Sequence, residues 1–147
     1  MSDAVRVVLA DDHTLVRAGV RKILEAEPGF EVVAEVADGE AALAAVARTR
    51  PDVLVLDLSM PGMDGLEVLR RTRERHPELR VLVLTMHAEA EYASRAVESG
   101  ADGYLLKDSA VHDLVAGLEA VAAGKAYYSP AVHHALSQMV RDRKSVV

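Results

Sequence analysis

Cysteine and tryptophan are absent from the 147 residues, and phenylalanine occurs once. Without cysteine there is no disulfide framework, no thiolate metal site and no sulfur nucleophile, which agrees with a reducing cytoplasm. So few aromatics leave no stacking platform for nucleobases or a flavin ring. No apolar run approaches the ~20 residues that cross a bilayer. Met1-Ser2-Asp3-Ala4 has neither the basic region nor the apolar stretch of a secretory signal, so a soluble, cytoplasmic protein with no membrane partner is expected. Positive charge is also short: 17 Lys and Arg stand against 23 Asp and Glu, a net charge of -6. Polyanion binding needs a clustered basic surface, so this chain by itself is expected to bind DNA poorly.

What is present is a half-apolar composition, enough to bury the core of one domain. Strand-like runs and helical patterns alternate five times. Val5 to Ala10, Phe30 to Ala37, Val53 to Leu56, Arg80 to Leu84 and Asp102 to Leu106 read as strands. Helices are expected after each: around Leu15 to Leu24, then Glu40 to Arg50, from Leu66 to near His76-Pro77, Ala88 to Ser99, and Ala110 to Ala123. The runs at Val5, Val53 and Val81 are apolar without alternation, as parallel strands covered on both faces are. Glu31 and Glu35 interrupt the second strand, as an edge position would tolerate. Five strand-helix units imply a doubly wound parallel sheet. The fourth helix offers only Tyr92 and Val97 as large anchors, so it is the element expected to shift most easily. Beyond Gly124, Ser129 and Pro130 mark a sixth helix striped by Val132, Leu136 and Val140.

In an open parallel sheet, ligands bind beyond the carboxyl ends of the strands. Those ends carry Asp11 and Asp12, Asp57, Thr85 and Lys107. Singly, each has an ordinary explanation: Asp12 and Thr85 as helix caps, Asp57 as a loop cap, Lys107 as a solvated cation. Capping accounts for neither two adjacent aspartates nor a lysine on the same rim. Three carboxylates against one ammonium call for a further cation, and oxygen ligands favour a hard ion such as Mg²⁺. Mg²⁺ and Lys107 together could hold a phosphoryl group. An ionised carboxylate is a competent nucleophile toward phosphorus, and Asp57, alone on the central strand, suits that role.

Asp11-Asp12, Asp57 with Met60-Pro61-Gly62-Met63-Asp64-Gly65, Thr85, and Gly100 to Lys107 together resemble the receiver domain of two-component response regulators, over about residues 4 to 124. The resemblance implies a flavodoxin-like fold: a five-stranded sheet of order 2-1-3-4-5 flanked by five helices, with the sixth helix beyond it. It implies that Asp57 takes a phosphoryl group from a sensor histidine kinase, as a phosphoacceptor rather than an enzyme, with phosphorylation and dephosphorylation self-catalysed. Mg²⁺ (or Mn²⁺) would be held by Asp12, Asp57 and the Ser59 backbone carbonyl, with Asp11 acting through water. Thr85 and Lys107 would contact the phosphoryl group, and Tyr104 would be the aromatic that changes rotamer with Thr85 in the switch. Many receivers have proline after the lysine, where this chain has Asp108. Gly-Tyr-Leu-Leu-Lys-Asp and the segment from Tyr127 to Leu136 resemble instead the NarL/FixJ branch, whose receivers precede a LuxR-type helix-turn-helix. The expected organisation is a receiver at 1–124 and a linker helix and tail at 125–147, leading to an output domain outside this chain. Homodimerisation on phosphorylation, and DNA binding only through that domain, are implied.

A stand-alone receiver acting by protein contacts is the alternative. A haloacid-dehalogenase-like phosphatase fits less well, because it seeks its nucleophile on the first strand and a second Asp two residues on, where Ser59 stands here. A flavin carrier would need a phosphate-cradling loop and aromatic walls. No histidine is assigned a catalytic role: His133 and His134 point about 100° apart on a helix, His13, His76 and His112 read as surface residues, and His87 as a surface residue or one tuning access to the site. Val111, Leu114, Leu118 and Val121 on the fifth helix could pack internally or across an interface.

Overall fold

The computed structural model describes residues 4–86 and 88–145; the expectation for His87 lies outside them, as do the side chains of Val111 and Val140. Strands β1 (Val5–Ala10), β2 (Phe30–Val36), β3 (Val53–Leu56), β4 (Arg80–Thr85) and β5 (Gly103–Leu106) alternate with helices α1 (Thr14–Glu25), α2 (Gly39–Thr49), α3 (Gly65–Arg75), α4 (Ala90–Glu98) and α5 (Ala110–Ala122). A single 3-10 turn, Lys107–Ser109, joins β5 to α5. A sixth strand, β6 (Tyr127–Tyr128), and α6 (Pro130–Ser145) follow. The sheet is parallel, in the order β2-β1-β3-β4-β5-β6. The expected order of the first five strands holds, with β2 at the edge that its glutamates favour. The sixth strand was not expected. Two residues carry no period of their own, and Tyr127 and Tyr128 become a strand by pairing with Gly103 and Tyr104 along the open edge of β5.

Successive strand residues point to opposite faces, and this splits the core in two. Val8, Ala10, Leu54, Leu56, Val81, Val83 and Tyr104 face α2, α3, α4 and α6. Val7, Leu9, Val53, Val55, Leu82, Leu84 and Leu105 face α1 and α5. Leu114, Leu118 and Val121 are wholly buried in this second layer, so they pack internally.

Short polar and glycine positions shape the helix ends. Asp38 caps α2 by accepting from the Ala41 N–H at 2.8 Å, and Asp64 caps α3 through the Leu66 N–H at 3.2 Å. Gly65 opens α3 directly against the backbone of Leu58: a Cβ there would lie 2.5 Å from the Leu58 Cα. That approach seals the loop following β3. The α4 helix begins at Ala90 rather than Ala88, with Glu89 at its N-cap, so Thr85 does not cap it. Of its residues only Ala93 and Ala96 are buried, as its small side chains implied. However, α6 packs along it, with Val132 wholly buried and Leu136 partly buried in the same cluster as Ala93, Ala96 and Tyr104.

Candidate functional site

Strand register brings the candidate residues together. Ala10 pairs with Leu56, so Asp11 and Asp57 leave adjacent strands side by side, and the Asp57 N–H donates to the Ala10 carbonyl at 2.9 Å. Thr85 pairs with Leu106, which puts Lys107 one residue beyond it on the same rim. The lysine then reaches back across β4. Its Nζ lies 3.0 Å from Asp57 Oδ2 and 3.2 Å from Asp11 Oδ1, and only 4% of its side chain is exposed. Lys107 is therefore a buried counter-ion and not a solvated cation.

Asp57 is almost entirely enclosed, with 1% of its side chain accessible. Its Oδ1 accepts the Ser59 N–H at 2.9 Å while Oδ2 faces Lys107, so both oxygens are oriented by the loop and the rim. Asp11 folds the chain back on itself by accepting the His13 N–H at 2.8 Å. That turn makes His13, not Asp12, the N-cap residue of α1, and no side chain caps this helix. The capping explanation for Asp12 therefore fails.

His13 is exposed, as expected for a surface residue, with 54% of its side chain accessible, but the turn also brings its ring to the edge of the cluster. His13 Nδ1 lies 2.6 Å from Lys107 Nζ, 3.3 Å from Asp11 Oδ1, 3.6 Å from Asp12 Oδ1 and 3.8 Å from Asp57 Oδ2. Its position directly after the two aspartates was the available signal. Of the other described histidines, His76 ends α3, and His112, His133 and His134 are exposed.

One ligand atom from each of Asp11, Asp12, His13 and Asp57 lies within 4.8 Å of the other three. Three carboxylates against the Lys107 ammonium leave two uncompensated negative charges, the charge of one divalent cation. Asp12 Oδ1 is buried without a hydrogen-bond partner, a costly arrangement unless something else satisfies it, while Asp11 Oδ2 is ion-paired with Lys107 Nζ at 3.2 Å. Clustered hard oxygen donors of this kind fit Mg²⁺.

Thr85 and Tyr104 lie on the neighbouring strands β4 and β5 and have no exposed surface. The Tyr104 hydroxyl titrates well above the usual tyrosine range, first because of burial and then because of Tyr92 and Glu89. Its backbone carbonyl accepts the Ser129 N–H at 3.0 Å, and Ser129 Oγ accepts the Leu106 N–H at 3.0 Å. The start of α6 is thus bonded to both sides of Tyr104–Leu106. No helix among the described residues is long and apolar enough to cross a membrane.

The family described as response regulator receiver domain matches residues 7–119. The chain is 42% identical over 137 residues to the transcriptional regulatory protein DegU of Brevibacillus brevis, covering 93% of this chain and 58% of that protein. It is 40% identical over 139 residues to the nitrate/nitrite response regulator protein NarP of Escherichia coli, covering 95% of this chain and 63% of the relative. The chain thus spans about three fifths of the length of these relatives. Among solved structures, a LuxR-family two-component response regulator from Aurantimonas superposes with a TM-score of 0.89 at 40% identity, over 94% of this chain and 98% of the other. The isolated receiver domain of Salmonella enterica RcsB, solved with the phosphomimetic BeF₃⁻, superposes with a TM-score of 0.85 at 33% identity, over 91% and 99%. With an acidic rim on a doubly wound sheet and relatives of this kind, the chain belongs to the response regulator receiver domain family, and its relatives are LuxR-family two-component regulators.

Proposed function

We propose that Asp57 is the phosphoacceptor of this receiver and that a sensor histidine kinase is its phosphoryl donor. A carboxylate oxygen of Asp57 attacks phosphorus, the new P–O bond forms as the P–N bond to the donor imidazole breaks, and the leaving nitrogen keeps the bonding pair and takes up a proton. The product is an acyl phosphate. Lys107, already against Asp57, is placed to pair with the incoming phosphoryl oxygens, and Thr85 at the end of β4 to hydrogen-bond one of them. Asp12, Asp57 and the Ser59 carbonyl would hold a divalent ion, Mg²⁺ or Mn²⁺, with Asp11 acting through water. When bound, the ion supplies positive charge against the phosphoryl oxygens. The same residues carry out phosphorylation from small donors and later hydrolysis, in which water attacks phosphorus and releases inorganic phosphate.

The observation that carries this reading is the enclosed Asp57 carboxylate, held between the Lys107 ammonium at 3.0 Å and the Ser59 N–H at 2.9 Å. Both of its oxygens are oriented, and a carboxylate nucleophile needs no general base. Phosphorylation biases two packings of Thr85, Tyr104 and α4, through contacts that exist only in the phosphorylated state. Because α6 is bonded at Tyr104 and Leu106, the shift passes to residues 125–147 as a linker, and from there to homodimerisation. DNA is engaged through a LuxR-type output domain outside residues 1–147, with the receiver working in the cytoplasm. Support for that last step comes from the relatives: DegU is named a transcriptional regulatory protein, and RcsB has been solved in complex with DNA.

Incubation with acetyl phosphate and Mg²⁺, followed by intact mass spectrometry, should show one added phosphate that chelator prevents. Asp57→Asn should show none. Labelling of that variant to the parent's extent would overturn the assignment.

A further inference from the structure

We infer that His13 is a nitrogen ligand of the divalent-ion site, and that it biases the site from Mg²⁺ toward first-row transition ions. The inference rests on the proposal that Asp12 and Asp57 hold the ion. Three observations carry it. His13 Nδ1 falls within the same 4.8 Å group as oxygens of Asp11, Asp12 and Asp57. Asp11 Oδ1 accepts the His13 backbone N–H, so one turn holds the residue at the rim. And Nδ1 lies 2.6 Å from the Lys107 ammonium, which has only protons to give, so in the tautomer protonated at Nε2 it is an acceptor facing inward. The lone pair that a metal needs is therefore aimed into the cluster.

Lys107 currently donates to that lone pair. Its ammonium has three protons and three acceptors here, Asp57, Asp11 and His13. An ion ligated by Nδ1 takes the place of one of these donations and leaves Lys107 a free proton at the mouth of the site, beside Asp57. Ion binding and readiness of Lys107 for a phosphoryl oxygen are then a single exchange. Asp12 Oδ1, buried without a hydrogen-bond partner, gains one in the same event. Imidazole adds far more to the binding of Co²⁺ or Ni²⁺ than to that of Mg²⁺, which prefers oxygen and keeps its waters. The residue should therefore change selectivity more than Mg²⁺ affinity.

The test uses the 147-residue chain with ¹⁵N-labelled histidine, Mn²⁺ as the spectroscopic probe and Co²⁺ and Mg²⁺ as calorimetric probes. Electron spin echo envelope modulation of bound Mn²⁺ should show a directly coordinated histidine nitrogen that disappears in His13→Ala and in His13→Asn. The second variant keeps a favourable helix N-cap residue, so loss in both is not a folding effect. Co²⁺ affinity should fall about tenfold in either variant, while Mg²⁺ affinity stays within about twofold. Bound Mn²⁺ without histidine coupling, or Co²⁺ affinity unchanged in both variants, would overturn the ligand assignment and leave the acidic site standing. Metal affinity unchanged in Asp12→Asn would instead overturn the site on which the inference depends.

Discussion

At the scale of single residues, Gly65 and Tyr104 show how tightly the site is built into its surroundings. Gly65 faces the Leu58 backbone, which cannot yield as a side-chain tip could. Gly65→Ala is expected to lower stability by about 1–3 kcal/mol, measured by urea denaturation, and to slow phosphorylation at Asp57 by displacing the loop that orients it through the Ser59 N–H. Tyr104 supplies a pH dependence. Burial raises its folded-state pKa above the unfolded value of 10.0, so the folded state favours the neutral phenol. That contribution to stability is complete below about pH 10 and is lost as pH rises toward the folded value. Tyr104→Phe should therefore flatten the fall in stability between about pH 9.5 and pH 11, followed by chemical denaturation at fixed temperature. Tyr92, Tyr127 and Tyr128 are shifted in the same direction, so part of the slope should remain.

At the scale of elements, α4 depends on α6 for its cover. Taken alone, α4 has only Ala93 and Ala96 buried, and its small side chains give it little hydrophobic anchorage. In the folded chain α6 supplies the missing cover, with Val132 fully enclosed beside Tyr104. Since Tyr104 has no exposed surface, a change of its rotamer has to be accompanied by movement of α4 or α6. Val132→Ala removes two buried methyl groups and should cost about 1–2 kcal/mol. More specifically, hydrogen exchange of the Ala93–Val97 amides should accelerate while that of β1 and β3 does not. Equal acceleration throughout the chain would show that α6 acts on global stability alone. The other end of α4 is held differently: Arg73 on α3 donates to the Gly100 carbonyl at 2.6 Å and to Asp102 at 2.8 Å, which fixes the turn into β5.

For the whole molecule, charge and metal are linked. A net charge of -6 is concentrated in part at a rim with two uncompensated charges, so a divalent ion should stabilise the fold by mass action. Thermal unfolding in chelator and in rising Mg²⁺ should show a midpoint that climbs with concentration, by about 2.7 kcal/mol of added stability at a hundred times the dissociation constant. Asp12→Asn should blunt that climb. A midpoint indifferent to Mg²⁺ would count against an ion at this rim.

The sequence by itself determined the five strand-helix units and which residues stand at the strand ends. Apolar period and run length depend only on neighbours in the chain, and those are printed in the sequence. It also determined the family, because the four separated motif groups stand in the right order. The tertiary structure alone decided the rest. Tyr127 and Tyr128 form a strand only because β5 presents an open edge. Lys107 became a buried counter-ion because it reaches over β4 to carboxylates 96 and 50 residues away in sequence. His13 joined the acidic cluster because Asp11 turns the backbone beneath it. Such placements arise from contacts between distant segments, and no local pattern of residue types encodes them.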